Sequence, residues 1–305
     1  MTKNEELANI QKRHSWAKIT TTVANYVEPA YYDKLLKDYI FQGKTDLQIF
    51  NEILNTVNFK TNANCLELGP GSGRATSIFL SKINVSKLNS LTLVDLSKRM
   101  LDFCKLRFKN ISKIDYINSD SINFIFHTNN KYNFVFSLWS LSHSIHQVLT
   151  NKGLELGSEY IKHVIQKLVN ENMYSNASIF LIHFDSMSDE QKILMRQWKK
   201  VFPIYHDTKH QSPSKLLLDS IFNELEQKKI IKQRVIHYIG QPIIYSSLEE
   251  ALEIFCNFHM ESFFNESILF PNVINELTQY FKRYTNQDNS ISIKPGCFIY
   301  KITKI

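Results

Sequence analysis

The 305-residue chain has only four cysteines, Cys65, Cys104, Cys256 and Cys297, and none stands in a C-x-x-C pair. That spacing argues against a disulfide framework and a zinc site. Such separated thiols read as reduced and buried, in a cytosolic protein. No stretch approaches the roughly 18 apolar residues that span a bilayer. The charged start Met1-Thr2-Lys3-Asn4-Glu5-Glu6 leads into no apolar segment, so neither a signal peptide nor a membrane partner is expected. Runs of one charge sign are missing as well. Lys and Arg total 36 against 29 for Asp and Glu, a net charge of +7. The basic residues are scattered, with no block of roughly five or six, so a basic tail for nucleic acid is not expected. Repeats, low-complexity tracts and linkers are absent too. With 43% hydrophobic residues the chain has ample material for one large α/β core in the cytoplasm.

Glycine is scarce, eight in all, yet three stand in Gly69-Pro70-Gly71-Ser72-Gly73. The apolar run Ala63 to Leu68 before them reads as a buried strand, and Gly73 onward as a helix start. Glycine has no Cβ and accepts positive φ, so the chain can turn tightly there and let a ligand touch its backbone. A strand, a glycine turn and a helix N-terminus make a nucleotide-type site. The spacing differs from the G-x-G-x-x-G of dinucleotide sites. It is E-x-G-x-G-x-G, and Glu67-Leu68-Gly69-Pro70-Gly71-Ser72-Gly73 resembles the first motif of class I S-adenosylmethionine (SAM) methyltransferases at every position. The resemblance implies SAM as cofactor, bound with Glu67, Gly69, Gly71 and Gly73. SAM carries no phosphate, so the glycines would serve close packing against its amino-acid and ribose parts.

From residue 62 strands and helices alternate, the signature of a parallel sheet with helices on both faces. Strands are expected at about 63–68, 90–95, 114–118, 132–137, 177–184, 231–239 and 296–303. Helices are expected at about 73–83, 97–108, 155–172, 188–201, 213–228, 247–264 and 273–283. Ser188 with Gln191 and Ser247 with Glu250 fit capping boxes, and Ser212-Pro213 fits an N-cap before a first-turn proline. The implied fold is a Rossmann-like, seven-stranded, mostly parallel α/β methyltransferase sheet. Residues 1–60, helical by the spacing of Tyr31, Leu35, Leu36, Tyr39 and Ile40, would form a lid. Residues 61–305 would form the SAM-binding domain, with a helical cap at about 246–290 before the last strand.

The ends of the strands hold the candidate site. Asp95 ends the second strand, 22 residues after Gly73 and close to the ~20 expected of a ribose-binding acid, with Ser97 opening the next helix. After the third strand, the resemblance gives Asp120 the adenine amino group and the backbone N–H of Ser121 the ring. After the fourth come Ser137-Leu138-Trp139-Ser140, where Trp139 would wall the methionyl part of SAM. Methyltransferases of base amino groups carry an Asn/Asp-Pro-Pro-aromatic turn here, so its absence lowers the nucleic-acid reading. His143 and His146 are candidate bases, as is Glu261, on an expected helical face with Asn257 and Phe264. Tyr32, in the lid, could meet the sulfonium by a cation–π contact.

The helix ending at Pro203, the Ser-Pro helix and the late helical insertion look like histamine N-methyltransferase-type enzymes in layout. The resulting expectation is a SAM-dependent methyltransferase of a small molecule, plausibly an amine or amino acid of specialised metabolism, with nucleic acid unlikely and no metal. Alternatives are SAM chemistry that releases methylthioadenosine, an RNA or protein methyltransferase, and a non-catalytic binding module.

Overall fold

The computed structural model describes residues 2–18, 22–23, 26–27, 29–59, 61–206 and 209–305, the side chains of residues 18–32 excepted. Helix α1 (Lys3–Arg13) starts at a Thr2/Glu5 capping box. Strands β1 (Thr22–Val23) and β2 (Tyr26–Val27) and helix α2 (Pro29–Leu36) follow. Helical spacing read as far as Ile40 stops short. The chain turns after Leu36 and makes the hairpin β3 (Ile40–Phe41) and β4 (Lys44–Thr45), whose tip residues Gln42 and Gly43 both have positive φ. Thr45 then caps α3 (Asp46–Leu54).

Alternation begins at β5 (Ala63–Leu68) and α4 (Arg74–Lys82), then β6 (Leu88–Asp95), α5 (Lys98–Arg107), β7 (Ile114–Asn118), α6 (Ser121–His127) and β8 (Tyr132–Leu138). Next come α7 (Leu141–Lys152), α8 (Leu154–Asn170), β9 (Met173–Phe184), α9 (Asp189–Trp198), α10 (Pro213–Gln227) and β10 (Ile231–Ile239). The chain closes with β11 (Ile243–Tyr245), α11 (Leu248–Ile254), α12 (Phe270–Phe281), β12 (Ile291–Ile293) and β13 (Gly296–Lys304). Ser188, Ser212 and Ser247 each accept a backbone N–H of the first turn, but the two expected boxes are only half made: the Gln191 side chain turns to Glu190 and the Glu250 carboxylate to the Ser246 N–H.

Seven strands make one sheet in the order β10-β13-β9-β8-β5-β6-β7. Strands β5 to β9 run parallel, and β13 inserts antiparallel between β9 and β10. This is the Rossmann-like class I methyltransferase sheet. Chain order reverses between β5 and β8, so a crevice opens at their carboxyl ends, the place where open α/β sheets bind ligands.

Strand alternation divides the core. Leu66, Leu68, Val135, Ile179 and Tyr300 face α7, α8 and α10; Cys65, Leu93, Phe134, Phe136 and Phe180 face α3, α4 and α5. On the second face Phe50 of α3 lies 5.1 Å from Phe136 and 5.2 Å from Phe180, so α3 covers the sheet. A third apolar cluster joins the beginning of the chain to the late insertion, where Ile10, Trp16 and Ala17 pack with Phe255, Phe264, Phe270 and Phe281.

The expected helix 247–264 ends early. A π-helical turn, Phe255–His259, follows α11, and Glu261 and Ser262 then adopt left-handed φ of 50° and 57°. The extra residue per turn and the reversal of hand break the shared face expected of Asn257, Glu261 and Phe264. Asn257 is buried instead, accepting from Asn265 Nδ2 at 2.8 Å. All four cysteines are buried free thiols. Among the described residues no helix is long and apolar enough to cross a membrane.

Candidate cofactor and substrate site

Gly69, Gly71 and Gly73 all have left-handed φ, 71°, 54° and 79°. Their surroundings differ. A Cβ on Gly69 would stand 1.8 Å from Ser140 Oγ, and one on Gly73 2.8 Å from the Phe108 ring. A Cβ on Gly71 would meet nothing within 4 Å. Two glycines therefore permit close packing within the protein, and the middle one faces open space where a ligand can lie against the backbone.

Asp95 stands beside this turn at the end of β6. It is buried; Oδ2 accepts the Gly71 N–H at 3.1 Å and Oδ1 the Ser97 N–H at 2.8 Å. Burial raises its pKa, and the two backbone donors oppose the rise. Each oxygen keeps a lone pair for a further donor. Ser97 caps α5, so its hydroxyl is used within the fold. Pairing of Asp95 with Asn118 brings the end of β7 alongside. There Asp120 caps α6 through Oδ1, which accepts from Ile122 and Asn123, and no described residue bonds Oδ2. Ser121 follows, buried, in the first turn of α6. Three consecutive strand ends thus present a bare backbone, one carboxylate and a second carboxylate with a helix N-terminus. This donor set fits the ribose and adenine of SAM.

Other expected residues act within the protein. Glu67 is buried and accepts from Thr76 Oγ1 at 2.5 Å, tying α4 to β5; burial pushes its pKa up to about 8. Ser137 Oγ donates to the Leu68 carbonyl at 2.7 Å and accepts the Leu141 N–H at 3.2 Å, fastening β8 to β5 and to α7. Trp139 is nearly buried at a left-handed φ of 67°, and its Nε1 donates to Asp46 at 3.0 Å. The Tyr32 side chain lies outside the described residues.

His143 lies in the first turn of α7, edge-on to Phe184 at 5.6 Å, and Phe184 in turn packs against Trp139 at 4.9 Å. The residue is exposed at the surface, and desolvation by its neighbours lowers its pKa. One turn on, His146 is buried against Tyr205 with no partner for Nε2 among the described residues; desolvation and then His183 hold its pKa well below the ordinary value. His183, not foreseen, bonds Ser214 Oγ at 2.9 Å, and burial lowers its pKa to about 4. Glu261 lies in the turn after the π-helical segment, in the late insertion.

Two acids that sequence reasoning missed organise the turn. Asp33 of α2 accepts from Ser72 Oγ at 2.7 Å and lies 3.8 Å from Arg74 and 3.7 Å from Arg107. Arg107 also donates to the Ser72 carbonyl at 2.8 Å. Asp46, fully buried, takes both ends of the Arg74 guanidinium at 3.1 and 3.2 Å as well as Trp139. Neither acid stands in a motif; only its neighbours in space reveal it.

Fold and strand-end site together define a class I SAM-dependent methyltransferase. Residues 33–192, more than half of the chain, match the family model of ribosomal RNA adenine dimethylase, and the chain belongs to that family. The cofactor is SAM. A curated relative, ribosomal RNA small subunit methyltransferase A of Malacoplasma penetrans, is 35% identical over 83 residues. That stretch is 27% of this chain and 28% of the relative, so the match spans little more than a quarter of its length. Among solved structures, the YcgJ protein of Bacillus subtilis superposes with a TM-score of 0.51 at 11% identity, covering 84% of this chain and 97% of its own. A putative methyltransferase of Bacillus halodurans gives 0.49 at 11%, covering 85% and 98%.

The family match corrects two expectations. The small-molecule acceptor inferred from a histamine N-methyltransferase-type layout is overturned by a family model and a curated relative that both carry ribosomal RNA in their names, and nucleic acid is no longer set aside as a partner. The physical reason is that a polyanion does not require a basic tail. A net charge of +7 spread over a folded surface can attract a polyanion without any run of like charges.

Proposed function

We propose that the protein is a SAM-dependent methyltransferase of RNA, with small-subunit ribosomal RNA as its substrate. The observation that carries this reading is the family match over residues 33–192, which spans the glycine turn, both strand-end acids and the turn after β8. Bound SAM supplies an electrophilic methyl group to a nucleophile of the RNA. In this reading Asp95 holds the ribose hydroxyls, and Asp120 Oδ2 with the Ser121 N–H holds the adenine edge. Asp33 draws α2 over the turn, so that residues 1–60 include a lid on the domain of residues 61–305, capped at about 246–290. His143, whose pKa is lowered by desolvation, accepts a proton at the exposed end of α7. The chemistry depends on positioning and water exclusion. Such a substrate puts the protein with the ribosomes of the cytoplasm.

One observation favours a second reading. Trp139 has φ +67° and its N–H bonds the Ile182 carbonyl at 3.0 Å. Proline, fixed near −65° and without an N–H, has no place there. The turn Ser137-Leu138-Trp139-Ser140 therefore differs in backbone as well as side chains from the Asn/Asp-Pro-Pro-aromatic turn of base-amine methyltransferases. This supports an RNA target other than a base amino group, or RNA binding without transfer.

Methyl-labelled SAM, incubated with the protein and with naked or partly assembled small-subunit RNA, tests both. Nuclease digestion and mass spectrometry of the nucleosides identify the product. Dimethyladenosine supports the family reaction, and another methylated nucleoside a different target. RNA binding without label supports a binding factor. Neither binding nor label overturns the RNA reading.

A further inference from the structure

Beside α3, strands β10 and β13 leave an open cleft of about 280 Å³, lined in part by Phe41, Gln42, Lys44, Glu52, Tyr238 and Lys301. Its upper end is walled by Phe41, whose ring lies 6.1 Å from Trp139 and 6.5 Å from Tyr238 and whose strand bridges to Gly240. Its lower end is cationic. In the β10–β13 ladder Arg234 stands directly opposite Lys301. Like charges so placed destabilise a sheet. Carboxylate help is thin, because Glu52 is already held by Lys44 at 2.7 Å. Burial, then repulsion from Arg234, lowers the Lys301 pKa against the pull of Glu52. Lys232 and Arg234 are exposed and two residues apart on β10. They share a face at about 6.7 Å spacing, suited to successive phosphates of an extended strand.

We propose that this cleft is a docking groove for the phosphate backbone of single-stranded RNA. The inference rests on the RNA reading above. An anion over Arg234 and Lys301 relieves a repulsion that the fold otherwise bears. RNA is the occupant because Lys232, Arg234 and Lys301 form a cationic row along the cleft, complementary in charge and spacing to the phosphates of an extended strand. Edge-strand cations also discourage sheet-to-sheet pairing, and that bland role makes a different forecast.

The experiment measures fluorescence anisotropy of a labelled single-stranded oligoribonucleotide of about 16 nucleotides between about 50 and 300 mM salt. It compares the wild type, the double variant Arg234→Gln/Lys301→Gln and a control, Lys82→Gln/Lys87→Gln, that removes two exposed lysines before β6. Unchanged SAM affinity shows that each variant is folded. For the groove variant, affinity at low salt falls about tenfold and the slope of log K against log salt falls by about 1.4, two single-strand contacts' worth. The control keeps most of both. Wild-type RNA binding with no change in the groove variant overturns the groove and leaves the RNA reading standing. An equal loss in the control also overturns it. A wild type that binds no RNA overturns both.

Discussion

At the scale of single residues, the glycine turn makes opposite forecasts for neighbouring positions. Gly69→Ala drives a methyl group into Ser140 and strains a left-handed backbone, a cost of about 2–5 kcal/mol. Gly71→Ala bears only the backbone strain, about 1–2 kcal/mol. It puts its methyl group where the cofactor would lie. Denaturant midpoints and SAM titration separate them: Gly71→Ala folds and binds SAM at least tenfold more weakly, whereas Gly69→Ala loses stability first. Unchanged SAM affinity in Gly71→Ala overturns the cradle. Glu67 offers a second test. Burial holds its proton up to about pH 8, whereas the unfolded chain releases it near 4.5. Its contribution to stability is thus full below about pH 4.5 and lost as pH rises through about 8. Glu67→Gln keeps an acceptor for Thr76 and removes the titration. Its urea midpoint declines less between about pH 5 and 8.5 than that of the wild type, by an amount worth a few kcal/mol; parallel declines refute a buried, protonated Glu67.

At the scale of elements, Asp46 joins three segment starts: its own α3, α4 through Arg74, and the turn before α7 through Trp139. Removing one partner of a buried ion pair leaves the other charge uncompensated. Asp46→Ala is therefore expected to cost about 3–5 kcal/mol, and Asp46→Asn less because it retains an acceptor for the indole. Thermal unfolding read by tryptophan fluorescence measures both; equal small losses would mean that Arg74 finds water instead. This junction also marks where the sequence stopped being legible. The strands were readable because apolar runs of period two lie between turn signals, and Asp95 because its distance from the glycines is a local property of one strand–helix–strand unit. Asp46 falls within residues 1–60, legible only as helical, and nothing local marks it, since its partners stand 28 and 93 residues away. Helix α7 begins with Leu-Ser-His-Ser-Ile-His, whose polar residues hide its period. The π-helical turn escaped for the converse reason: its residues look helical, and only packing adds the extra residue.

At the scale of the whole molecule, the chain's beginning and its late insertion complete one another. Trp16 donates to Glu249 at 2.6 Å, His14 lies 2.9 Å from the same carboxylate, and Gln11 donates to the Asn265 carbonyl at 2.8 Å. Asn257 donates in return to the Trp16 carbonyl at 3.3 Å. The Trp16 ring meets Phe270 edge-on at 6.3 Å, inside the apolar cluster of the cap. Truncating such a tryptophan typically costs about 3–5 kcal/mol. Deleting residues 1–17 removes that ring together with Ile10 and Ala17, and uncovers Phe264 and Phe270. The sheet keeps its own two packed faces, which the deletion does not touch. Hydrogen exchange should then accelerate at least tenfold across α11 and α12 while β5 and β8 keep their protection. Unchanged exchange in α11 and α12 would show that the cap is stable without α1. Uniform acceleration through the sheet would show that cap and sheet unfold as one unit, with the N-terminal segment part of the core.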